Sequence, residues 1–405
     1  MVHPNSNPSV MESYISAADP KSSQTIQQRI DTLFNGCRIV SSFGLSWCSL
    51  ESPEIPSFLR SDKLTDGSEE QHQLIRAQLR VDDIATIIFG ESQHLNSKLE
   101  PTALVNLYWS LAVLGLYHEA TIKRIQKLIA DCSSRVSEPE HMSKVLFAEA
   151  TFFHHNSSVS FGIDEGTFSS LSLHLQVNML QCLSIISKDV RPLTKLRKCL
   201  VSAIVRNHKE GGATKESLDI IVPFAARLIS FINALTNQEG HHDINKLKSI
   251  SILANRLPPW KYAFEVCLAC HAVASKGVEL NPFVDQVFPT DVVFLPTGSK
   301  KKLVIELVRP SSVVWRVDAT ETSVYGIDLF SRMTRTALAA KGYRVVAITL
   351  TEWLKLGGDK AKQMSYVKRR IRNCMHQRRL FKGMERDELV SDFDVSESSD
   401  SDMSD

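Results

Sequence analysis

The chain has 405 residues, of which 43% are hydrophobic, and its 47 basic and 45 acidic residues leave a formal charge of only +2. This length is sufficient for two or three domains with their own cores, and the near-neutral charge predicts no particular partner for the whole chain. No apolar run reaches the roughly 18–20 residues that would span a bilayer. Eight cysteines without regular spacing argue against a disulfide framework and favour a reducing compartment.

The first part of the chain carries weak structural signals. Residues 1–20 are rich in Pro, Ser and Asn, which predicts a disordered N-terminus. Residues 21–66 combine a helical pattern at 24–42 with an irregular segment rich in Pro, Ser, Gly and Asp. The first thirty-five residues contain two bases and three acids, so they lack the usual composition of an organelle transit peptide.

Residues 67–276 are predicted to form an α-helical repeat region, because apolar residues recur there at intervals of three and four. Two segments that each begin with Glu-Pro lie 38 residues apart. Their matching positions are Pro101 and Pro139, Leu104 and Met142, Leu107 and Val145, Trp109 and Phe147, and Ala112 and Ala150. A period of this length is typical of helical hairpins that stack into a solenoid. The alternative is two unrelated amphipathic helices with similar starts.

From about residue 279 short β-branched runs replace the helical pattern. The predicted strands are 291–295, 303–308 and 343–348, with 313–317 as a candidate extension of the sheet. The predicted helices are 260–276 before the sheet, 327–341 within it and 360–374 after it. The order strand, strand, helix, strand predicts a mixed sheet covered by helices.

A C-x-x-C-H sequence, which is the form of covalent haem attachment, occurs at Cys267, Cys270 and His271. It lies inside an apolar helical pattern, and no other feature of the sequence indicates a haem crevice. We therefore interpret both thiols as core residues and predict no resident cofactor or metal.

The segment Lys341-Gly-Tyr-Arg-Val-Val-Ala-Ile348, followed by Thr351-Glu-Trp-Leu354, resembles the closing signature of RAP domains. These are small RNA-binding modules abundant in apicomplexan parasites, in which an Arg-rich helix ends at LGY or LGW, a VV.I strand follows, and EW comes next. Upstream, Val304-Ile-Glu306 is similar to the family's strand ending in Glu, and Pro310 to the Pro that follows it. The resemblance covers residues 279–376, about a quarter of the chain.

The resemblance implies a restriction-endonuclease-like α/β domain placed after helical repeats, as in organellar RAP proteins of the FAST-kinase-like or octotricopeptide-repeat type. It implies binding of single-stranded RNA, either an organellar transcript or ribosomal RNA, and a role in mitochondrial RNA processing, stability or ribosomal RNA handling. The implied compartment is the mitochondrial matrix, with the cytoplasm or another organelle as alternatives. Ribonucleoprotein or mitochondrial ribosome components are the implied protein partners, and no membrane is implied.

The resemblance also implies an enzymatic alternative. In restriction-endonuclease-like folds, acidic residues on two neighbouring strands hold Mg²⁺ or Mn²⁺ and a Lys two positions later supports attack on phosphate. Asp291 and Glu306 occupy the acidic positions, but Val308 stands at the Lys position and supplies no charge. Arg309 and Ser312 replace a Gly and a His of the family motif. We therefore expect a binding protein, with a metal-dependent RNA endonuclease as the first alternative and a protein-interaction scaffold as the second.

Basic residues supply the candidates for RNA binding, because clustered Lys and Arg neutralise phosphates. Eleven Lys or Arg lie between Lys355 and Arg386, whereas nine carboxylates and one base lie between Glu385 and Asp405. The candidate RNA-binding residues are Lys300, Lys301, Lys302, Arg309, Arg316, Arg335, Lys368, Arg369, Arg370 and Arg372. Residues 377–405 are predicted to be a disordered tail, basic and then acidic and Ser/Asp-rich, whose acidic part competes with RNA for the basic residues before it.

Overall fold

A computed structural model of the chain describes thirteen stretches of it. They are residues 24–40, 81, 83–96, 98–132, 138–152, 163–187, 189, 191–236, 241–251, 261–285, 287–308, 312–317 and 322–380. The predicted disordered N-terminus at 1–20 lies outside the described residues, and so do residues 381–405 of the tail predicted to be disordered over 377–405. The prediction is wrong for residues 377–380, which continue the last described helix to Leu380. The described part is mostly helical with small sheets, so it combines a helical region with a mixed α/β unit, as predicted.

The helices are numbered in chain order. Before the sheet they are α1 (Ile26–Val40), α2 (Pro101–Leu114), α3 (Glu119–Asp131), α4 (Pro139–Phe152), α5 (Glu165–Ser170), α6 (Leu173–Ile186), α7 (Arg191–Glu210), α8 (Lys215–Thr236), α9 (His241–Lys248) and α10 (Lys261–His271). Within and after the sheet they are α11 (Leu329–Ala340), α12 (Leu350–Lys355) and α13 (Lys360–Leu380). Residues 83–90 are also helical.

The helices of the first region pack in a row. Helix α1 packs on α2, α2 on α4, and α4 on α6, while α6 contacts both α7 and α8. The two segments related by 38 residues are α2 and α4, which are neighbours and both begin at a proline. A proline fits the first helical turn because its missing N–H has no partner there in any case. The sequence repeat therefore corresponds to two equivalent, adjacent helices separated by α3.

The main sheet has four strands in the order β2–β5–β6–β9. The strands of the chain are β1 (Leu116–Tyr117), β2 (Ala274–Leu280), β3 (Phe283–Val284), β4 (Phe288–Pro289), β5 (Val292–Pro296), β6 (Leu303–Val308), β7 (Val313–Val317), β8 (Thr322–Ile327) and β9 (Arg344–Thr349). Strands β2, β5 and β6 are antiparallel neighbours, and β9 is parallel to β6. Parallel neighbours need a crossover connection, and α11 lies in it.

Strand β2 was not predicted. The sequence pattern placed a helix over 260–276, but α10 ends at His271 and the chain turns into β2 at Ala274. Cys267 and Cys270 are buried in α10, which confirms the interpretation of these thiols as core residues.

The two faces of the main sheet belong to different cores. Val293 and Val304 face α11 and the helical region, in a core that includes α6, α7 and α8. Val292, Ile305 and Ile348 lie on the opposite face, under α10, α12 and α13. The helical region therefore shares a continuous core with one face of the sheet, and the other face has a helical layer of its own.

Helix α8 contains the one stretch of the described chain that is long and apolar enough to cross a membrane, Ser217–Thr236. In the folded protein 82% of that stretch is buried, and it carries the buried Arg227, whose Nε donates to the carbonyl oxygen of Val287 at 3.0 Å. A helix buried on all sides by its own protein is apolar on all sides. The stretch is weak evidence for a membrane span.

A second sheet, β1–β7–β8, joins the two parts of the molecule. Residues 313–317 were a candidate extension of the main sheet, but β7 pairs with β8 and with β1 of the helical region, Leu116 lying opposite Trp315. Gly115 precedes β1 at φ +65°, and a Cβ there would lie 2.8 Å from the carbonyl oxygen of Val313. The junction therefore requires glycine both for its backbone angle and for the close approach of β7.

Substitution Gly115→Ala is expected to destabilise the protein more than Gly211→Ala. Both glycines have nearly the same positive φ, but a Cβ at Gly211 meets nothing within 4 Å. The left-handed backbone costs about 1–2 kcal/mol at either position, and the clash with β7 adds about 1–3 kcal/mol at Gly115. Urea denaturation of the two variants measures the difference, and equal losses would contradict the close approach of β1 and β7.

Candidate nucleic-acid interface

Helix α13 is held along the outer edge of β9. Its N-terminus is capped by Asp359, whose Oδ1 accepts from the backbone N–H of Ala361 at 2.9 Å. Arg370 then donates to the carbonyl oxygen of Ala347 at 2.7 Å, and Cys374 donates to that of Val345 at 3.7 Å. The later residue of α13 contacts the earlier residue of β9, so the helix runs antiparallel to the strand.

The outer side of α13 is basic. Val367 and Ile371 are buried against the sheet, and Lys368, Arg369 and Arg372 are exposed on the opposite side. Within the described part of the chain, none of these three cations has a hydrogen bond or an ion pair, although the Arg369 guanidinium lies 5.7 Å from the ring centre of Tyr366. Their charge is therefore available to an external anion.

The turn between β5 and β6 adds three exposed lysines at 300–302. The carbonyl oxygen of Lys302 accepts from the backbone N–H of Arg344, at the start of β9, at 3.1 Å. Because α13 runs towards the start of β9, its C-terminal turns approach this hairpin. We name the exposed cations of the two elements the basic face. The basic face consists of Lys300, Lys301, Lys302, Lys368, Arg369 and Arg372.

Arg370, also predicted to bind RNA, points towards the sheet. It is half-buried, and its hydrogen bond to Ala347 covers an edge carbonyl of β9. Its charge also acts on Glu352. Burial raises the pKa of Glu352, but hydrogen bonds from Thr349 and Tyr366 and the charge of Arg370 outweigh this and bring the pKa below its ordinary value. Arg370 therefore stabilises the placement of α13 and is not part of the basic face.

Arg335 is buried between α11 and the sheet, with 2% of its surface exposed. Its Nε donates to Glu306 Oε2 at 2.5 Å, and Nη2 has no hydrogen-bond partner in the described part of the chain. In this conformation the guanidinium cannot reach RNA, and we exclude Arg335 from the interface.

The two acidic candidates for the nuclease alternative lie side by side. Asp291 immediately precedes β5, whose Val292 is opposite Ile305, so that Asp291 is next to Glu306. One oxygen of Asp291 accepts from the backbone N–H of Leu307 at 2.7 Å. Val308 is buried among apolar side chains. Among the described residues no group of three or more His, Cys, Asp or Glu is placed to hold a metal ion.

Asp328 belongs to the same cluster and was not predicted. It caps α11, its Oδ1 accepting from the backbone N–H of Ser331 at 2.7 Å. Burial raises the pKa of this carboxyl and the charge of Glu306 adds to the effect, while hydrogen bonds from Ser331 and Ser312 oppose it. The resulting pKa lies above the ordinary value. The sequence signal for Asp328 was an Asp between a strand pattern and a helix pattern, which is typical of an N-cap.

Two further candidates lie at the edge of the α/β unit. Arg316 in β7 is partly exposed and forms an ion pair with Glu119 of α3, with 3.2 Å between Nη2 and Oε2. It therefore connects the second sheet to the helical region. Arg309 lies outside the described residues.

No protein-family model matches this chain, and no curated protein matches it significantly in sequence.

Replacing Arg335 is expected to cost far more stability than replacing an exposed cation of similar length. Arg335→Met leaves the Glu306 carboxylate without its partner, for which we expect a loss of about 3 kcal/mol. Lys368→Met removes an exposed charge and is expected to change stability by less than about 0.5 kcal/mol. Chemical denaturation tests both variants. If the double variant Arg335→Met, Glu306→Met were no more stable than Arg335→Met, the ion pair would not explain the loss.

The raised pKa of Asp328 predicts a pH-dependent stability. Between its ordinary value of 3.8 and its folded-state pKa, this carboxyl binds more protons in the folded than in the unfolded protein, so its contribution to stability falls as pH rises. Asp328→Asn keeps a capping oxygen and removes the titration. We therefore compare the free energy of unfolding of the unmodified protein with that of the variant. The difference, unmodified minus variant, is expected to decrease as the pH is raised above about 4. A difference that stays constant or increases with pH would contradict this assignment.

Proposed function

We propose that this protein binds single-stranded RNA through the basic face, as a RAP-type protein acting on organellar, most simply mitochondrial, RNA. The observation that carries the proposal is the density of exposed cations without a carboxylate partner in the described part of the chain: three lie within five residues of α13, near three more at 300–302. Lys198, Arg206 and Lys209 of α7 are also exposed and have no ion pair among the described residues, but they are spread over 12 residues. Unpaired cations concentrated on one small surface indicate a polyanionic ligand.

The geometry of the basic face suits a nucleic-acid backbone. Lys368 and Arg372 are four residues apart, so they lie about 6 Å apart along the axis of α13. The lysines at 300–302 extend the charge beyond the C-terminal part of the helix. Contacts of this kind give affinity without base preference, so any choice of sequence has to come from side chains beyond the basic face, with Arg309 as a candidate.

Residues 341–354, which carry the resemblance to the end of RAP domains, support the proposed family. The resemblance to RAP domains places a helix, then a strand, then a Glu-Trp pair, and the chain has α11, β9 and α12 in this order. Trp353 of α12 is buried between the sheet and the layer formed by α10, α12 and α13. Its Nε1 donates to Glu265 of α10 at 3.0 Å. A mixed sheet with a buried crossover helix is compatible with the endonuclease-like fold that the resemblance implies. The row formed by α1, α2, α4 and α6 is likewise compatible with helical repeats.

Binding without cleavage is the better proposal for the cluster at Asp291 and Glu306. The Glu306 carboxylate is paired with Arg335, and an oxygen of Asp291 is engaged by the backbone of β6. The Lys position of the endonuclease motif holds the buried Val308, which can neither donate a proton nor stabilise a phosphate charge. These contacts support a structural role for the cluster, in which Glu306 holds α11 on the sheet and Asp291 joins β6 to the start of β5.

Neutralising the basic face on α13 is expected to weaken RNA binding about 100-fold near 0.1 M salt, since three phosphate contacts to a single strand would be lost. The variant is Lys368→Gln, Arg369→Gln and Arg372→Gln. The logarithmic dependence of affinity on salt should become shallower by about 2. Fluorescence anisotropy with a labelled single-stranded RNA measures both quantities.

The matched control changes three exposed cations of α7 and alters net charge by the same amount. The control variant is Lys198→Gln, Arg206→Gln and Lys209→Gln. It is expected to retain most of the affinity. Equal losses in the two variants would mean that affinity follows total charge and would contradict a localised interface. Absence of RNA binding by the unmodified protein would reject the proposal and favour an interaction scaffold.

A further inference from the structure

The helical layer that carries the basic face also exposes apolar side chains. Phe264 and Leu268 lie one turn apart on α10 and are 51% and 52% exposed. Leu354 on α12 and Met364 on α13 are 41% and 37% exposed. They are the exposed large hydrophobic side chains of the described chain. The helices that carry them pack on one face of the main sheet, so apolar and cationic groups share the outer surface of this layer.

A phosphate backbone accounts for the cations of this surface but not for its exposed aliphatic side chains. Leu268 and Leu354 offer no charge and no aromatic plane for a base. A ligand that uses both kinds of group has carboxylates alternating with apolar residues. The surface therefore fits an acidic, hydrophobic peptide.

The chain itself contains such a peptide directly after α13. Residues 387–397 read Asp-Glu-Leu-Val-Ser-Asp-Phe-Asp-Val-Ser-Glu, in which five carboxylates are interspersed with four apolar side chains. The segment from Glu385 to Asp405 as a whole carries nine carboxylates against a single base. Its charge is thus complementary to the basic face, and its Leu389, Val390, Phe393 and Val395 are complementary to the exposed apolar groups.

The connecting chain is long enough for this segment to reach back along α13. Phe393 follows Leu380, the last residue of α13, by thirteen residues, which span up to about 43 Å when extended. Met364 lies sixteen residues before Leu380, about 24 Å along a helix. A covalently linked segment within reach is present at an effective concentration in the millimolar range, so even a weak interaction would be well populated.

We propose that the acidic segment 385–405 folds back onto the layer formed by α10, α12 and α13 and occupies the basic face. Its carboxylates lie on Lys368, Arg369 and Arg372, and the apolar side chains of 387–397 lie on the exposed hydrophobic groups of the layer. The inference rests on the same surface as the proposed function and gives that surface a regulator: RNA has to displace the segment before it can bind.

Carbodiimide coupling of the full-length protein tests the contact without RNA, because this reagent joins a lysine amine to a carboxylate that it touches. Mass spectrometry is expected to find Lys368 joined to carboxylates of 385–405 at low salt, and at least 5-fold less of this product in 1 M salt. The pair Lys341 and Asp285, with 2.6 Å between Nζ and Oδ2, serves as the positive control. Lys198 and Lys209 of α7 are exposed and serve as negative controls.

Coupling a mixture of ¹⁵N-labelled and unlabelled protein separates contacts within one chain from contacts between chains. The proposal requires products of uniform label. Mixed-label products, or no Lys368 product while the Lys341–Asp285 product forms, would overturn it. Phe264→Ser with Leu268→Ser changes only exposed side chains and is expected to reduce the Lys368 product several-fold. An unchanged yield would reject the apolar part of the contact.

Addition of a single-stranded RNA to the same reaction distinguishes this inference from the proposed function. If both are correct, RNA lowers the yield of the Lys368 product in proportion to its occupancy. If RNA leaves a strong product unchanged, the folded-back segment is supported and RNA binding at the basic face is rejected. If RNA binds but no product forms in its absence, the proposed function is supported and the folded-back segment is rejected.

Discussion

The architecture depends on the burial of the crossover helix α11 on two sides. The parallel pairing of β6 and β9 requires a connection across one face of the sheet, and α11 presents apolar residues both to that face and to α8 of the helical region, Met333 and Leu338 being almost completely buried. A charge on such a helix has to be compensated, since an unpaired buried cation is strongly destabilising. The ion pair between Arg335 and Glu306 supplies this compensation and fixes α11 on the sheet.

The helical region covers the face of the main sheet on which α11 packs. A ligand of the α/β unit therefore has to approach from the opposite face. The cluster around Glu306 and Asp328 lies next to α11 at the margin of the shared core, where Glu306 is paired with Arg335 and Asp328 caps α11. The opposite face of the sheet carries a layer formed by α10, α12 and α13, and the outer side of this layer bears exposed side chains in the part of the chain that the structure describes. The same layer therefore carries the exposed cations of α13 and the four exposed large hydrophobic side chains of the described chain, and we propose that recognition takes place there.

Much of this fold was predictable because the buried helices and strands have a clear periodicity of apolar residues in the sequence. Strands β5, β6 and β9 and helices α11 and α13 were predicted within a few residues of their observed starts. Strand β2 was missed because Ala274–Leu280 carries two charges and a glycine and so lacks the apolar run of a buried strand. It is an edge strand that pairs on one side only, and such a strand does not need to be apolar throughout. The interface was predicted in part: Lys368 and Arg372 are exposed, but Arg335 is not. Its partner Glu306 is 29 residues away in sequence, and no local pattern distinguishes a cation aimed at solvent from one aimed at a buried carboxylate.

The charges on α13 are difficult to explain by folding alone. Lys368 and Arg372 are like charges four residues apart, an arrangement that destabilises a helix by about 0.2–0.5 kcal/mol, and Arg369 adds a third cation on the same side. The inward residues of the helix, Val367 and Ile371, already secure its packing. The outer cations therefore oppose the stability of the helix that carries them, and a polyanion would relieve that repulsion. RNA and the acidic segment 385–405 both satisfy this condition, and this shared electrostatic complementarity is the basis of the competition that we propose between them for α13.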